Sequence, residues 1–241
     1  MTAAPRLILL PGLDGTGRLF DAFIPELGDH PTQIVAYPAD RVLRVDALAD
    51  LVQAALPESG PIVLVGESFS GRVALEVAAR EPSRTLGVVL VASFIRNPTF
   101  VPPLFAAMLP DFAFAVTPPR WLFRALLAGE DAPEALVDEL QRSIASVTPP
   151  VLAARVREVL NHTATARPEF AQLPALYLRG TQDRLVGKAA VAGVAAMLPQ
   201  LQVVEIDAPH LVLQRGPVEA ARVIAEFVDG ISRGIIGDLR G

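Results

Sequence analysis

Three residues far apart in the chain have the types that nucleophilic catalysis needs: Ser68, Asp183 and His210. A serine hydroxyl attacks poorly at neutral pH unless a base lies within hydrogen-bond reach and a third group fixes the tautomer of that base. Ser68 stands in Gly66-Glu67-Ser68-Phe69-Ser70-Gly71, directly after the apolar run 61–65. A serine at such a strand-to-helix turn is pushed clear of the backbone, and the positions two before and two after it must be small. Gly66 meets the first condition; the second position is Ser70, with Gly71 one step later. Taken alone, the stretch reads equally well as an ordinary helix N-cap.

The partners decide between these readings. Asp183 lies in Gly180-Thr181-Gln182-Asp183, just past the apolar run 176–179, and His210 in Asp207-Ala208-Pro209-His210, just past 203–206. Carboxyl ends of parallel strands are where open α/β sheets place their ligands. Separately, Asp183 reads as a turn residue capping the next helix and His210 as a surface loop residue. Their joint placement after two strands favours the acid and base roles. His30, in a short polar turn, and His162, ending a helix, do not suit the base. Glu67 is the alternative carboxylate, with its side chain expected to point away from the site.

Acyl transfer also needs donors aimed at the oxygen that becomes negative. One is expected from the amide of Phe69, after the serine. The other should come from the glycine-rich loop Pro11-Gly12-Leu13-Asp14-Gly15-Thr16-Gly17, with Leu13 first and Asp14 second. A glycine-rich loop after the first strand also raises nucleotide binding. Its spacing is G-x-x-G-x-G, Asp14 stands where the dinucleotide fingerprint wants glycine, and no Gly-Lys-Ser/Thr follows.

The elements that must position these residues follow from the apolar pattern. Short runs at 6–10, 33–37, 62–65, 86–91, 175–179 and 202–206 read as strands covered on both faces, separated by segments of helical spacing. The fold class is α/β, a doubly wound and mainly parallel sheet. The alternation stops between 96 and 168, where prolines crowd in. Thr117-Pro118-Pro119 and Thr148-Pro149-Pro150 read as helix starts, and Asp131 to Glu134 has capping-box spacing. Helices are expected near 119–128, 132–146, 150–161, 188–198 and 217–229, with a frayed glycine-rich tail from Ile231. The core is thus 1–95 with 169–241, and 96–168 is a helical insertion.

Composition narrows the function classes. With 51% hydrophobic and 20% charged residues, the 241-residue chain can fill a sizeable core. A net charge of -5 without basic runs argues against nucleic acid. There is no cysteine, and the three histidines show no metal-ligand spacing, so no metal or cofactor is expected. The run Leu7 to Leu10 is stopped by Pro11-Gly12, too short for a leader or a membrane span, which reads as a cytoplasmic protein.

From Leu7 to about Val228 the chain resembles the α/β-hydrolase superfamily, through the Pro-Gly-Leu-Asp-Gly loop, the Gly-Glu-Ser-Phe-Ser-Gly elbow, the Gly-x-x-Asp turn and the Ala-Pro-His loop. The resemblance implies Ser68 as nucleophile, Asp183 as acid, His210 as base, about six parallel strands, and a cap at 96–168 that shapes an acyl pocket. It implies a carboxylesterase-like hydrolase acting on a small-molecule ester. Two short stretches, Leu10 to Gly17 and the elbow, also resemble plant-type acyltransferases that make lipid esters. An acyltransferase using the same serine, and a non-catalytic or nucleotide-binding α/β protein, are the alternatives. Among the apolar residues of the insertion (Phe105, Met108, Leu109, Phe112, Phe114, Trp121, Leu122, Phe123), Phe112 and Trp121 are expected to bind the acyl or aryl group. Arg120 and Arg124, one helical turn apart, could meet an acidic acyl carrier.

Overall fold

The computed structural model describes residues 4–99 and 110–234. Phe105, Met108, Leu109 and the end of the tail lie outside the described residues. The six apolar runs form six parallel strands, β1 (Arg6–Leu10), β2 (Thr32–Ile34), β3 (Ile62–Glu67), β4 (Thr85–Val91), β5 (Ala175–Gly180) and β6 (Leu201–Ile206), in the order β2-β1-β3-β4-β5-β6. The chain steps outward from β1 to β2, then returns to place β3 on the other side of β1. That reversal makes a switch point between the carboxyl ends of β1 and β3, where a crevice opens in this class of sheet. The glycine-rich loop leaves from β1 and the serine turn from β3, so both border the crevice.

Alternation of side chains along each strand divides the core into two layers. Ile8, Leu10 and Leu64 face α1 (Val45–Ala55) and α2 (Gly71–Arg80), packing with Leu48, Val52, Val73 and Val77. Leu7, Leu9, Val63 and Val65 face the other way, onto Val223, Ile224 and Phe227. β3 and β5 are buried along their whole length, as strands covered on both faces must be, while β2 and β6 form the less buried edges. β2 is shorter than its apolar run. Val35 still donates to the Leu9 carbonyl at 3.0 Å, but Tyr37 donates to Gly15 at 2.8 Å and so belongs to the glycine-rich loop.

Between β4 and β5 the described residues carry helices and no strand. They are the short 3-10 turns Asp111–Ala115 and Pro168–Ala171, α3 (Arg120–Phe123), which runs on as a π turn over Arg124–Ala128, α4 (Glu134–Ala145) and α5 (Pro149–Asn161). The expected capping chemistry is corrected. Pro119 and Pro133 occupy the N-cap positions of α3 and α4, and no side chain caps either helix. Thr148 does precede α5, yet its hydroxyl and amide both donate to the Ala39 carbonyl, at 3.1 and 2.9 Å. Phe123, Ala128, Val137 and Leu140 gather around Leu19 and Leu211, which seats this segment over the crevice. The remaining helices are α6 (Lys188–Met197), α7 (Val212–Arg215) and α8 (Pro217–Ser232).

Candidate active site

Ser68 begins the turn after β3 with φ of 49°, in the left-handed region that residues with a Cβ avoid. Such a conformation costs about 1–3 kcal/mol and survives only where the surroundings enforce it. Here they do. A Cβ at Gly66 would lie 2.7 Å from the Ser70 carbonyl oxygen, and one at Gly71 would lie 1.9 Å from Ser93 Oγ. The close approach behind the serine therefore falls on Gly71, which is why Ser70 is tolerated one position earlier. Ser93 Oγ also donates to the Ser68 carbonyl at 2.7 Å.

His210 reaches the serine across the crevice, with Nε2 2.9 Å from Ser68 Oγ and Nδ1 2.9 Å from Asp183 Oδ2. The His210 and Asp183 side chains are both buried. Asp183 Oδ1 accepts the amides of Leu185 and Val186 at 2.8 and 2.9 Å. Asp183 thus faces the His210 ring with one oxygen and holds a backbone turn with the other, and that turn closes before α6 rather than capping it.

Leu13 and Phe69 border the same cavity as Ser68. The Gly12 carbonyl accepts the Gly15 amide at 3.1 Å. Because a trans peptide points its C=O and N–H in opposite directions, the Leu13 N–H is turned away from that bond. Among the described residues it has no intramolecular acceptor. Phe69 lies in the first turn of the short helix Ser68–Ser70, where amides lack helical acceptors.

The cavity holds about 380 Å³ and is lined mostly by apolar side chains, among them Leu19, Phe94, Phe114, Leu140, Val159 and Leu211. Phe112 and Trp121 are not part of its wall; they are 76% and 66% exposed. Short helices give no stable face to read from sequence, so aromatic content misidentified the lining there. Arg120 and Arg124 are engaged by Glu134, and Arg120 also by Asp138.

Sequence reasoning also missed the contacts of four residues. Glu67 lines the cavity rather than pointing away, and it accepts a bond from Gln214 Nε2 at 2.9 Å. Burial pushes its carboxyl up to about 7; the Gln214 bond opposes the rise, the Asp14 charge adds to it and His210 opposes it. Tyr37, Ser70 and Arg155 surround the glycine-rich loop. Tyr37 Oη and Ser70 Oγ are 2.6 Å apart, Ser70 Oγ donates to the Pro11 carbonyl, and Arg155 of α5 reaches the carbonyls of Leu13, Asp14 and Pro38. None of these contacts has a sequence signal, since each joins residues distant in the chain.

A family model described as "Alpha/beta hydrolase family" matches residues 7–225. The chain belongs to the α/β-hydrolase family. Phytyl ester synthase 1 of Arabidopsis thaliana is 40% identical over 112 residues, covering 39% of this chain and 15% of that protein. Phytyl ester synthase 2 is 34% identical over 121 residues and covered to 17%, so the chain spans under a fifth of either plant relative. The pimeloyl-[acyl-carrier protein] methyl ester esterase of Stenotrophomonas maltophilia (strain K279a) is 26% identical over 245 residues, with 95% of this chain and 94% of that one covered. Among solved structures, a thermophilic esterase from Thermogutta terrifontis superposes with a TM-score of 0.77 at 21% identity, covering 95% and 91% of the two chains. That likeness shows the fold alone. Among the described residues no helix is long and apolar enough to cross a membrane.

Proposed function

We propose that this α/β-hydrolase cleaves an uncharged carboxylic ester through an acyl intermediate on Ser68. The observation that carries the reading is the unbroken chain Ser68 Oγ, His210, Asp183, with both links at 2.9 Å, opening onto an apolar cavity. As the hydroxyl attacks the ester carbonyl, its proton passes to His210 Nε2, and Asp183 holds the imidazole in the accepting tautomer and stabilises the imidazolium. The Leu13 and Phe69 amides receive the charge on the carbonyl oxygen. His210 then returns the proton to the leaving alcohol, and water repeats the sequence to release the acid. The segment 96–168 acts as the cap over the acyl chain, through Phe114, Leu140 and Val159 rather than Phe112 and Trp121.

Acyl transfer is the second reading, favoured by the similarity to the phytyl ester synthases; it uses the same intermediate with an alcohol in place of water. The name of the Stenotrophomonas relative supports a carrier-bound acyl group as a substrate class to include in a screen.

A fluorophosphonate labels an activated serine and spares ordinary ones. One adduct, on the peptide containing Ser68, and loss of ester turnover in Ser68→Ala are the expected results. Labelling elsewhere, or full activity in Ser68→Ala, overturns the reading. Adding a long-chain alcohol to the same assay separates the two fates of the acyl group by product.

A further inference from the structure

Every backbone carbonyl from Pro11 to Gly15 is held by a donor. Pro11 accepts from Ser70 Oγ, Gly12 from the Gly15 amide at 3.1 Å, and Gly15 from the Tyr37 amide at 2.8 Å. The two in between, Leu13 and Asp14, both accept from Arg155 Nη1, at 3.0 and 2.7 Å. The other arm, Nη2, donates to Pro38 at 2.9 Å. Arg155 is 2% exposed, and its guanidinium lies 5.8 Å from the centre of the Tyr37 ring. Gly15, at φ of 72°, makes room for it: a Cβ there would be 2.6 Å from Nη1 and 2.9 Å from Cζ. The loop's own sequence is thus fitted to a cation supplied by α5.

We infer that Arg155 is a positioning residue for the oxyanion loop, assisted by Ser70 and Tyr37, so that the cap helix α5 and the amides receiving the negative charge are fixed as one body. This rests on the ester-hydrolase reading above. The physical reason is peptide planarity. A carbonyl pinned toward Arg155 turns the amide of the same peptide unit the opposite way, so the Leu13 carbonyl contact sets the Asp14 N–H. The Asp14 carbonyl contact likewise turns the Gly15 N–H, whose bond to the Gly12 carbonyl sets the Leu13 N–H, and Ser70 fixes the unit before it. A buried charge left without partners is costly, so the guanidinium in turn demands that the carbonyls stay where they are. Lysine cannot replace it, because one ammonium lacks the planar fork that spans three carbonyls.

The test compares Arg155→Met, Arg155→Lys, Tyr37→Phe and Ser70→Ala with the wild type, each rate normalised to fluorophosphonate-labelled sites. A misplaced oxyanion loop lowers kcat by roughly 10²-fold in both Arg155 variants. KM stays within about threefold, since the loss belongs to the transition state. A trifluoromethyl ketone, which forms a tetrahedral adduct at the serine, weakens by the same factor as kcat/KM, while the product carboxylic acid binds as before. In a fifth variant, Arg155→Ala, which leaves space for the ion, added guanidinium restores part of the rate. A merely structural role would lower the melting temperature and the number of labelled sites, but not the rate per site or the ketone-to-acid affinity ratio; that result overturns the inference. If the Arg155 variants do not fold, Tyr37→Phe and Ser70→Ala decide it, each removing one hydroxyl: wild-type rates and ketone affinity in both overturn it. An active wild type with unaffected variants defeats this inference alone. A wild type that neither hydrolyses esters nor takes the label defeats the underlying reading as well.

Discussion

Asp183 divides its two oxygens between a backbone turn and the His210 ring. The substitution Asp183→Asn separates the two duties. Its carbonyl oxygen can keep the Leu185 and Val186 amides, which leaves the NH₂ facing His210 Nδ1. That donor selects the tautomer with the proton on Nε2, which cannot accept from Ser68. By analogy with other Ser-His-Asp arrangements, turnover falls about 10⁴-fold, roughly 5 kcal/mol, while the melting temperature barely moves. Asp183→Ala loses the turn as well and costs roughly 1–3 kcal/mol in stability. Steady-state kinetics beside thermal melts distinguish the cases; near-normal turnover in Asp183→Asn would mean that another group orients the base.

At the scale of elements, what was legible in the sequence was whatever lies at the end of an apolar run. Ser68, Asp183 and His210 each follow a strand that a continuous hydrophobic stretch announces. The runs fix where each strand ends, and a parallel sheet brings those ends together. Arg155 was not legible for a related reason: it sits in a helix with apolar and polar faces, where an arginine ordinarily reads as solvated surface. Glu67 was hidden because β3 is buried on both sides, so alternation says nothing about which way its last residue points. Phe112 and Trp121 were misplaced because a five-residue turn and a four-residue helix have too little periodicity to define an inner face. The corrected lining makes its own forecast. Val159→Phe fills part of the cavity and shifts the preferred acyl chain shorter, by roughly 1–3 kcal/mol for each methylene excluded. Trp121→Ala leaves the profile unchanged. Chain-length profiles of p-nitrophenyl esters check both, and a profile moved by Trp121 instead would return the acyl site to the exposed face.

For the molecule as a whole, two buried arginines tie α5 to the segments that leave the sheet and cover it. Arg155 grips the glycine-rich loop, and Arg72 of α2 donates to the carbonyls of Glu158 and His162 at 2.8 and 2.9 Å. The charge balance of this interior also makes global stability depend on pH through Glu67. Its carboxyl is raised from 4.5 to about 7 in the folded chain, so the native state holds a proton that the unfolded state has already lost. The stability linked to that proton is fully present below about pH 4.5 and is lost as pH rises through 7. The span is on the order of 3 kcal/mol. The groups facing Glu67 are Gln214, Asp14 and His210. Glu67→Gln removes this component, so denaturant unfolding from pH 5 to 8 should show a shallower decline in the variant than in the wild type. Equal slopes would mean that Glu67 is ionised throughout.

Consensus engineering would treat Ser70 as an error to be repaired. Glycine is the usual residue at that place in the elbow, and back-to-consensus changes are among the commonest routes to a more stable variant. In this chain the hydroxyl at Ser70 joins Tyr37 to the Pro11 carbonyl, while the steric need for glycine has moved to Gly71. A library built from family frequencies would therefore score Ser70→Gly as safe and Gly71→Ser as a mild exchange of neighbours. Both judgements are inverted by the local geometry: Ser70→Gly strands the Tyr37 hydroxyl and the Pro11 carbonyl in the interior, and Gly71→Ser drives a side chain into Ser93.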